Sequence, residues 1–338
     1  MTTSSLITED MKKAIGAWKL PQFEPQIAGD FAISRYYQAL EDTNPLWSNE
    51  EYARKTRWSG IIAPPTFVEV FSPTHLNMRS NWKFQPQFPP HPNLSGGFLG
   101  YEDYEFFAPI RPGDAIQGTG GLAGYYEKQG RAGIGRMVFT EIAKEYRNQT
   151  GKLVATNKWG IVSVEDYHNA ARQTSRKTGS LPPVKNNGPL QKQVCFEDVT
   201  NGTEIPSIVR DIPVLAVARW AGACGDLMLE HIDYLYATKE LGLPDNIVHG
   251  SLMGALLAVM VTNWIGGWGV LKKHRIEYRG NVWPCDTLAC TGKVTKKYEQ
   301  GDEHLVEIES QCQNQHGSST ALGRSVTSLP LRNQVPSL

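Results

Sequence analysis

The sequence has no excess of charge of either sign, because 34 lysine and arginine residues balance 34 aspartate and glutamate residues. A protein that holds nucleic-acid phosphates needs a broad basic face, so this balance argues against a nucleic-acid partner. Apolar residues make up 40% of the chain and charged residues 20%, a composition typical of folded globular units. The 338 residues are enough for about two domains.

Cysteine is scarce and lacks any paired spacing. All five cysteines lie in the later part of the chain, at Cys195, Cys224, Cys285, Cys290 and Cys312. Their number is odd and no CxxC pair occurs, so neither a disulfide framework nor a zinc site is indicated. The pattern favours a reducing compartment, and we expect a cytoplasmic protein.

The sequence also lacks the apolar core of a signal peptide, since residues 1–19 are polar and charged. One long segment, residues 247–270, carries no formal charge and approaches the length of a membrane span. His249, Ser251, Thr262, Asn263 and several glycines interrupt it. This pattern predicts a helix buried on nearly all sides of a soluble fold, with no membrane span.

The two halves of the chain repeat the same order of parts. In the first half, the sequence predicts helices over residues 9–18, 33–40 and 50–55, then strands over residues 101–108, 115–128, 137–146 and 153–162. In the second half, strands are predicted over residues 275–278, 287–298 and 305–312, after the long apolar helix. Each half therefore reads as helices followed by antiparallel strands.

Three pairs of anchors support a duplication. Asp42 corresponds to Asp226, and the turn ending at Asp114 (Arg-Pro-Gly-Asp) corresponds to the turn ending at Asp286 (Trp-Pro-Cys-Asp). The hairpin turns at residues 148–151 and 314–317 share the pattern Asn-Gln-x-Gly. Anchors in the same order make coincidence a poor explanation.

Residues 172–193 separate the halves and are rich in serine, threonine, glycine, proline, asparagine and lysine, as a linker would be. We place the first repeat at residues 1–175, the linker at 176–200 and the second repeat at 201–338. The predicted fold class is α+β, with an antiparallel sheet wrapped around one central helix in each repeat.

The residues that can perform chemistry cluster in the second repeat. Asp226 and His231 lie five positions apart and form a plausible acid/base pair. Gly250 lacks a side chain, so its backbone N–H can approach a carbonyl oxygen closely. If Gly250 begins the apolar helix, this N–H also lies at the positive end of the helix dipole. Together these groups suit the addition of water to a double bond conjugated to a thioester, or the reverse elimination.

Other polar residues nearby have simpler explanations. His249 belongs to the same turn as Gly250 and is grouped with it as oxyanion or substrate-binding, although a structural role is the favoured interpretation of its side chain. Asp233 is expected to cap a helix or to lie at the surface. Asp114 and Asp286 are expected to hold turns.

The first repeat has lost the chemistry. Asp42 is present, but Trp47 stands where His231 would and cannot exchange protons. Pro64 aligns with Gly250 and has no N–H to donate. We therefore predict a non-catalytic first repeat that supports the second repeat and lines a binding cavity.

With these residues in view, the chain resembles the MaoC-like dehydratases, the group of (R)-specific enoyl-CoA hydratases that have the hot-dog fold. The hydratase motif of that family, Gly-Asp-x-Asn-Pro-x-His-x-Asp with a later alanine, is matched at Gly225, Asp226, His231, Asp233 and Ala237. The segment at residues 247–250 resembles the family's oxyanion turn. Residues 42–46 and 61–67 resemble the N-terminal repeat of double hot-dog members.

The resemblance implies a double hot-dog protein in which Asp226 and His231 bind and activate water and the Gly250 N–H polarises the thioester carbonyl. Two departures stand out: Met228 and Leu229 replace the usual Asn-Pro, and Ala258 stands where relatives often carry serine. A degraded first repeat implies room for a bulky or long acyl group.

The expected function is a hydro-lyase that acts on 2-enoyl or 3-hydroxyacyl thioesters, with acyl-CoA as the expected substrate. Neither a metal nor a redox cofactor is implied, and a homodimer is expected. The alternatives are a hot-dog thioesterase and a non-catalytic acyl-CoA-binding or scaffold subunit.

Overall fold

A computed structural model describes residues 5–80, 94–130, 135–165 and 193–336. The ten strands of the described residues form one antiparallel sheet in the order β1-β3-β4-β5-β2-β7-β10-β9-β8-β6. The strands are β1 (Gln26–Ile27), β2 (Ser95–Phe106), β3 (Ala115–Gln129), β4 (Arg136–Arg147), β5 (Leu153–Val164), β6 (Glu204–Ile212), β7 (Val270–Tyr278), β8 (Asp286–Gln300), β9 (Glu303–Asn314) and β10 (Ser319–Ser328). The first five come from the first half of the chain and the last five from the second half, as a pair of tandem repeats requires.

The α-helices are α1 (Glu9–Ala14), α2 (Asp30–Ala39), α3 (Glu50–Arg54), α4 (Pro73–Ser80), α5 (Val214–Cys224), α6 (Leu229–Ile232) and α7 (Gly250–Ile265). Short 3-10 helices cover Pro45–Trp47 and Pro65–Phe71. Every strand and helix that the sequence predicts in the described residues is present, although most strands run longer than predicted. The sequence analysis did not find β1, β6, β10, α4, α5 or α6.

Helix α7 is the central helix of the second repeat. Its residues are buried apart from Gly250, Ser251 and Asn263, so the predicted burial on nearly all sides is confirmed. Within the described residues, no helix is both long and apolar enough to cross a membrane.

In the first repeat, a buried 3-10 helix over Pro65–Phe71 and then α4 occupy the place of the central helix. Pro73 begins α4, and proline cannot continue a preceding helix because it lacks an N–H and its ring clashes with the turn before it. The first repeat therefore divides its central helix into two pieces.

Hydrogen bonds confirm that the halves are copies. The Asp114 carboxylate accepts a bond from the Arg111 N–H (2.7 Å) and another from the Gln149 amide (3.0 Å). In the second repeat, Asp286 accepts equivalent bonds from the Trp283 N–H (2.9 Å) and the Gln315 amide (2.7 Å). Both aspartates hold turns, as predicted.

Strands β2 and β7 join the two half-sheets, with Glu102 opposite Ile276. Most of the predicted linker lies outside the described residues. Its last part, residues 193–200, packs on the second repeat: the Phe196 N–H donates to the Pro330 carbonyl (2.9 Å), and the Gln193 amide donates to the Ile265 carbonyl (2.6 Å). The domain boundaries at residues 175 and 200 remain predictions.

The five thiols are free, and Cys285 is the exposed one.

Candidate active site

Helix α5 ends at a glycine that turns the chain towards the site. Gly225 has a φ of 84°, in the left-handed region that glycine adopts without steric cost, and its N–H donates to the Ala221 carbonyl (2.9 Å). This turn places Asp226 at the start of the segment that leads into α6. The glycine that precedes Asp226 is therefore explained by this turn, which requires a positive φ.

Asp226 and His231 face each other. His231 Nε2 lies 3.9 Å from Asp226 Oδ2, and the two side chains are 12% and 18% exposed, respectively. The Met228 N–H points to Asp226 Oδ1 at 3.4 Å. In the first repeat, the Asn44 N–H makes the equivalent bond to Asp42 at 3.1 Å. The turn thus keeps its shape although Met228-Leu229 replaces Asn-Pro.

The protonation of His231 follows from its partner. Nδ1 lies 2.6 Å from the Ile247 carbonyl oxygen, which can only accept a hydrogen bond, so Nδ1 carries the proton. Nε2 of the neutral ring is then an acceptor that faces the Asp226 carboxylate. Two acceptors 3.9 Å apart do not bond to each other, but one water molecule can donate to both.

Burial raises the pKa of Asp226, but electrostatic interactions with the imidazoles of His249, His231 and His75, with the Met228 N–H, outweigh it and hold that pKa below its ordinary value. Asp226 is therefore a carboxylate at neutral pH. A carboxylate is the form that can accept a hydrogen bond from water.

His249 lies behind the acid/base pair. It is fully buried, and its Nε2 donates to the Asp226 backbone carbonyl (3.0 Å). Its ring stacks on His231 with centroids 3.7 Å apart. Burial, with an electrostatic contribution from His231, lowers the pKa of His249 to about 3, so the ring stays neutral. These contacts favour the structural interpretation of His249, which positions its neighbours.

Gly250 is the first residue of α7, so no carbonyl within the helix can accept its N–H. The Val248 N–H donates to the Val282 carbonyl (2.9 Å) and anchors the turn just before it. A Cβ at position 250 would lie 3.3 Å from Leu99 and 3.5 Å from Tyr278. The glycine therefore leaves space for a ligand to approach this N–H.

Asp226, His231 and Gly250 line one cavity of about 190 Å³. The first repeat supplies part of its wall, through α4, β2 and β5. The residues from these elements are Thr74, His75, Met78, Gly97, Phe98, Leu99, Trp159 and Ile161. The first repeat thus lines part of this cavity, and the binding of a ligand there stays a prediction.

Sequence reasoning missed His75, Trp159 and Tyr278 in this wall. His75 is buried, and its Nδ1 lies 3.0 Å from the Glu69 carbonyl. Nothing local distinguishes a histidine in the degraded repeat as a neighbour of Asp226, because the contact exists only after the two repeats dock. Ala258, where relatives often carry serine, is buried in α7 and lies two turns from Gly250. Ser251 is the α7 hydroxyl that lines the cavity.

Asp226, His231 and His249 could in principle hold a metal ion, because their ligand atoms lie within 4.8 Å of one another. However, the two imidazole rings are stacked with only 24° between their planes. Ring-nitrogen lone pairs lie in the ring plane, so nearly parallel rings do not converge on one ion. The two rings are therefore better explained by the packing of His249 against His231 than by a metal site.

The copy of the site in the first repeat is closed. Trp47 Nε1 donates directly to Asp42 Oδ2 at 2.7 Å, and both residues are buried. The five-residue spacing thus brings the two side chains together in both repeats, and only in the second repeat does it leave room for water. Asp233, as predicted, caps the following turn, since its carboxylate accepts bonds from the Leu235 and Tyr236 N–H groups.

Comparisons with known proteins give a family model and a curated relative. A family model described as the FAS1-like dehydratase domain region matches residues 15–157. A curated protein from Thermomonospora curvata, named "Probable enoyl-CoA hydratase alpha subunit", is 27% identical over 190 residues. The match spans 52% of this chain and only 58% of that relative.

Three solved structures share the fold. A MaoC-like dehydratase is 19% identical, with a TM-score of 0.70 over 95% of this chain and 99% of its own. A MaoC-like dehydratase from Phytophthora capsici is 15% identical, with a TM-score of 0.58 over 94% and 99%. A Mycobacterium tuberculosis protein described as having a double hotdog fold is 11% identical, with a TM-score of 0.61 over 92% and 96%.

The two docked repeats and the likeness along nearly the whole chain define a double hot-dog protein. Part of the chain also resembles the dehydratase family model and the curated relative.

Two buried neutral histidines make stability depend on pH. Burial lowers the pKa of His249 to about 3 and that of His274 to about 4, from an ordinary value of 6.5. Their contribution to stability is full above pH 6.5 and is lost as the pH falls towards the folded-state values, because only the unfolded chain binds the proton. We expect a loss of up to about 1.4 kcal/mol per pH unit for each histidine.

Urea unfolding at several pH values between 7.5 and 4.5 measures this slope. His274→Gln should make the slope shallower by about one proton, because that residue no longer takes up a proton on unfolding. A variant with the slope of the unaltered protein would show that His274 is protonated in the folded state.

Proposed function

We propose that the protein is a hydro-lyase that adds water to a 2-enoyl thioester or removes it from a 3-hydroxyacyl thioester, with coenzyme A as the carrier. One observation carries the proposal: Asp226 and His231 present two acceptors 3.9 Å apart in the cavity that Gly250, the first residue of α7, also lines. This arrangement provides a place for water and a donor for a carbonyl oxygen.

In the hydration direction, a water molecule donates to Asp226 and to His231 Nε2, which leaves an oxygen lone pair free to attack C3 of the enoyl group. The thioester oxygen gains negative charge as the bond forms, and the Gly250 N–H at the helix N-terminus stabilises it. The proton released by water passes through the acid/base pair to C2. The product is the 3-hydroxyacyl thioester, and dehydration runs through the same steps in reverse.

The alternatives differ in their products. Hydration removes the conjugated-enone absorbance of an enoyl-CoA without releasing thiol, whereas a thioesterase releases free coenzyme A. A binding or scaffold subunit would change neither signal. Incubation of the protein with an enoyl-CoA, monitored by absorbance and by a thiol reagent, separates the three.

We further propose an (R)-specific reaction on a medium or bulky acyl group. The cavity of about 190 Å³ is lined by large apolar side chains, including Met78, Phe98, Leu243 and Met253. An apolar cavity of about 150 Å³ accommodates benzene, so this volume suits a group of roughly six to eight carbons. Chiral analysis of the product tests the stereochemistry. Turnover confined to four-carbon enoyl-CoA would contradict the proposed acyl size.

Asp226→Asn and His231→Ala should each lower turnover by about 10²–10⁴, the usual contribution of a positioned acid/base. Thermal unfolding should stay close to that of the unaltered protein, because both side chains are partly exposed. Asp42→Asn is the matched control, since it makes the same change in the closed copy of the site. Full activity in either site variant would show that the acid/base pair is assigned wrongly.

Gly250→Pro tests the role of the N–H as an oxyanion donor while the backbone conformation is kept. Proline is favoured at the first position of a helix, and His249 has the extended conformation (φ −55°, ψ 130°) that a residue before proline prefers. The substitution removes the N–H and adds the carbon atoms of the proline ring on a backbone that accepts them, so we expect kcat to fall by about 10²–10³ with little loss of stability.

Gly250→Ala keeps the N–H and controls for the added carbon atoms. A new Cβ would meet Leu99 at 3.3 Å, so a moderate rise in KM is expected. Equal effects of alanine and proline on kcat would count against a role for the N–H.

We also propose a cytoplasmic homodimer. Large apolar side chains are exposed along α5, at the end of α6 and just after α6: Val214, Leu215, Ile232, Tyr234 and Leu235. Such a patch is typical of a protein interface. Light scattering after size-exclusion chromatography measures the mass, and a monomer at micromolar concentration would contradict the proposal.

A further inference from the structure

The first repeat keeps a cavity of its own. It measures about 200 Å³, the same size as the cavity around Asp226 and His231 at about 190 Å³. Its walls come from the first repeat, within residues 46–68, 106–110 and 154–155, and from the second repeat, within residues 262–272 and at Glu303 and Ser328. None of the residues that line it belongs to the candidate active site.

The two cavities occupy corresponding places in the two repeats. The active-site cavity contains Tyr278 at the end of β7 and Gly280 two residues beyond it. The second cavity contains Phe106 at the end of β2 and Ala108 two residues beyond it. The start of α7 lines the first, and the start of the 3-10 helix at Pro65 lines the second. The duplication therefore left two cavities, one for each repeat.

The second cavity cannot run the proposed chemistry. Trp47 holds Asp42 in a direct hydrogen bond of 2.7 Å, and Asp42 does not line the cavity. Proline stands at positions 64 and 65, so these positions lack the N–H that Gly250 offers. Close packing normally fills space that has no occupant, yet this cavity has stayed open while its catalytic groups were lost. A cavity that is kept without catalytic groups suits a site that binds a ligand.

The lining indicates the chemistry of the ligand. The wall is largely apolar and aromatic, with Trp47, Trp58, Phe106 and Val68 among its residues. The Trp58 indole N–H is buried and finds no acceptor among the described residues. An apolar ligand with an acceptor atom would complement both features.

The rim carries net positive charge. Lys272 is paired with Glu303 at 2.6 Å, whereas Arg57 has no carboxylate within ion-pair distance in the part of the chain that the structure describes. The Arg57 guanidinium donates to the Trp268 carbonyl at 3.3 Å, which leaves further N–H donors, because guanidinium has five. An anionic head group at this rim would find a charged partner.

We propose that the cavity of the first repeat is a second, non-catalytic binding site for a medium-length acyl chain whose anionic head lies at Arg57. By comparison with the cavity of about 150 Å³ that holds benzene, roughly six to eight carbons fill it. The proposal does not depend on the reaction in the second repeat, because its readout is binding.

Octanoate is the probe, and calorimetry or tryptophan fluorescence of the full chain measures its binding. Ala108 is half-buried and lines the cavity of the first repeat, so Ala108→Phe places a large side chain in that cavity. Gly280→Phe makes the matched change in the active-site cavity, where a Cβ meets only the Ser319 carbonyl at an ordinary 3.5 Å. We expect Ala108→Phe to weaken octanoate binding at least tenfold and Gly280→Phe to leave it within about twofold.

Arg57→Gln tests the head group without filling the cavity. Loss of a hydrogen bond to a charged group should weaken octanoate binding about tenfold, while binding of 1-octanol stays unchanged. Octanoate binding that survives both Ala108→Phe and Arg57→Gln would overturn the proposal, as would a loss confined to Gly280→Phe. The latter result would place the fatty acid in the active-site cavity.

Discussion

The structure depends on the pairing of β2 with β7, which makes one sheet of two half-sheets. Ion pairs cross this junction on its exposed face, such as Arg275 with Asp103 at 3.0 Å. On the buried face, Glu102 accepts hydrogen bonds from Tyr104 (2.7 Å), Trp159 (3.0 Å) and Tyr278. Burial and the charge of Glu69 raise the pKa of Glu102 to about 7, and its three donors give the carboxyl group fixed partners. Tyr278 lies against Gly250, so this junction also supports the wall of the candidate site.

The same constraint explains how one repeat could lose its chemistry while the fold remained. In both repeats, an aspartate and a ring five residues later meet beside the start of the central helix. In the second repeat the ring is His231, held by the Ile247 carbonyl, and the gap to Asp226 stays open. In the first repeat the larger indole reaches Asp42 itself. Replacing histidine with tryptophan thus exchanges a water site for a buried hydrogen bond, and the backbone around it keeps the same turn.

Much of this could be predicted from the sequence because it is local. The acid/base spacing, the glycine before Asp226, the Asn-Gln-x-Gly turns and the uncharged segment that became α7 all act within a few residues of chain. Strand β10 was missed because its alternation of buried and exposed residues is interrupted by serine, threonine and glycine, which carry weak strand signals. Helix α5 was missed because its polar face is short and its exposed side bears Val214 and Leu215, so it lacks a clear amphipathic pattern. His75 could not be found, since only the docking of the repeats brings it near Asp226.

The docking of the repeats also gives the first repeat a role that its missing catalytic groups would not suggest. A lone second repeat would expose the apolar face of α7 and would lack the α4, β2 and β5 walls of its cavity. The electrostatic interaction with His75 would no longer help to lower the pKa of Asp226, and water would surround the gap between Asp226 and His231. A dry and shaped cavity strengthens the electrostatic interactions inside it. The first repeat thus contributes the surroundings of the proposed acid/base pair in the second repeat, and this contribution does not require any catalytic group of its own.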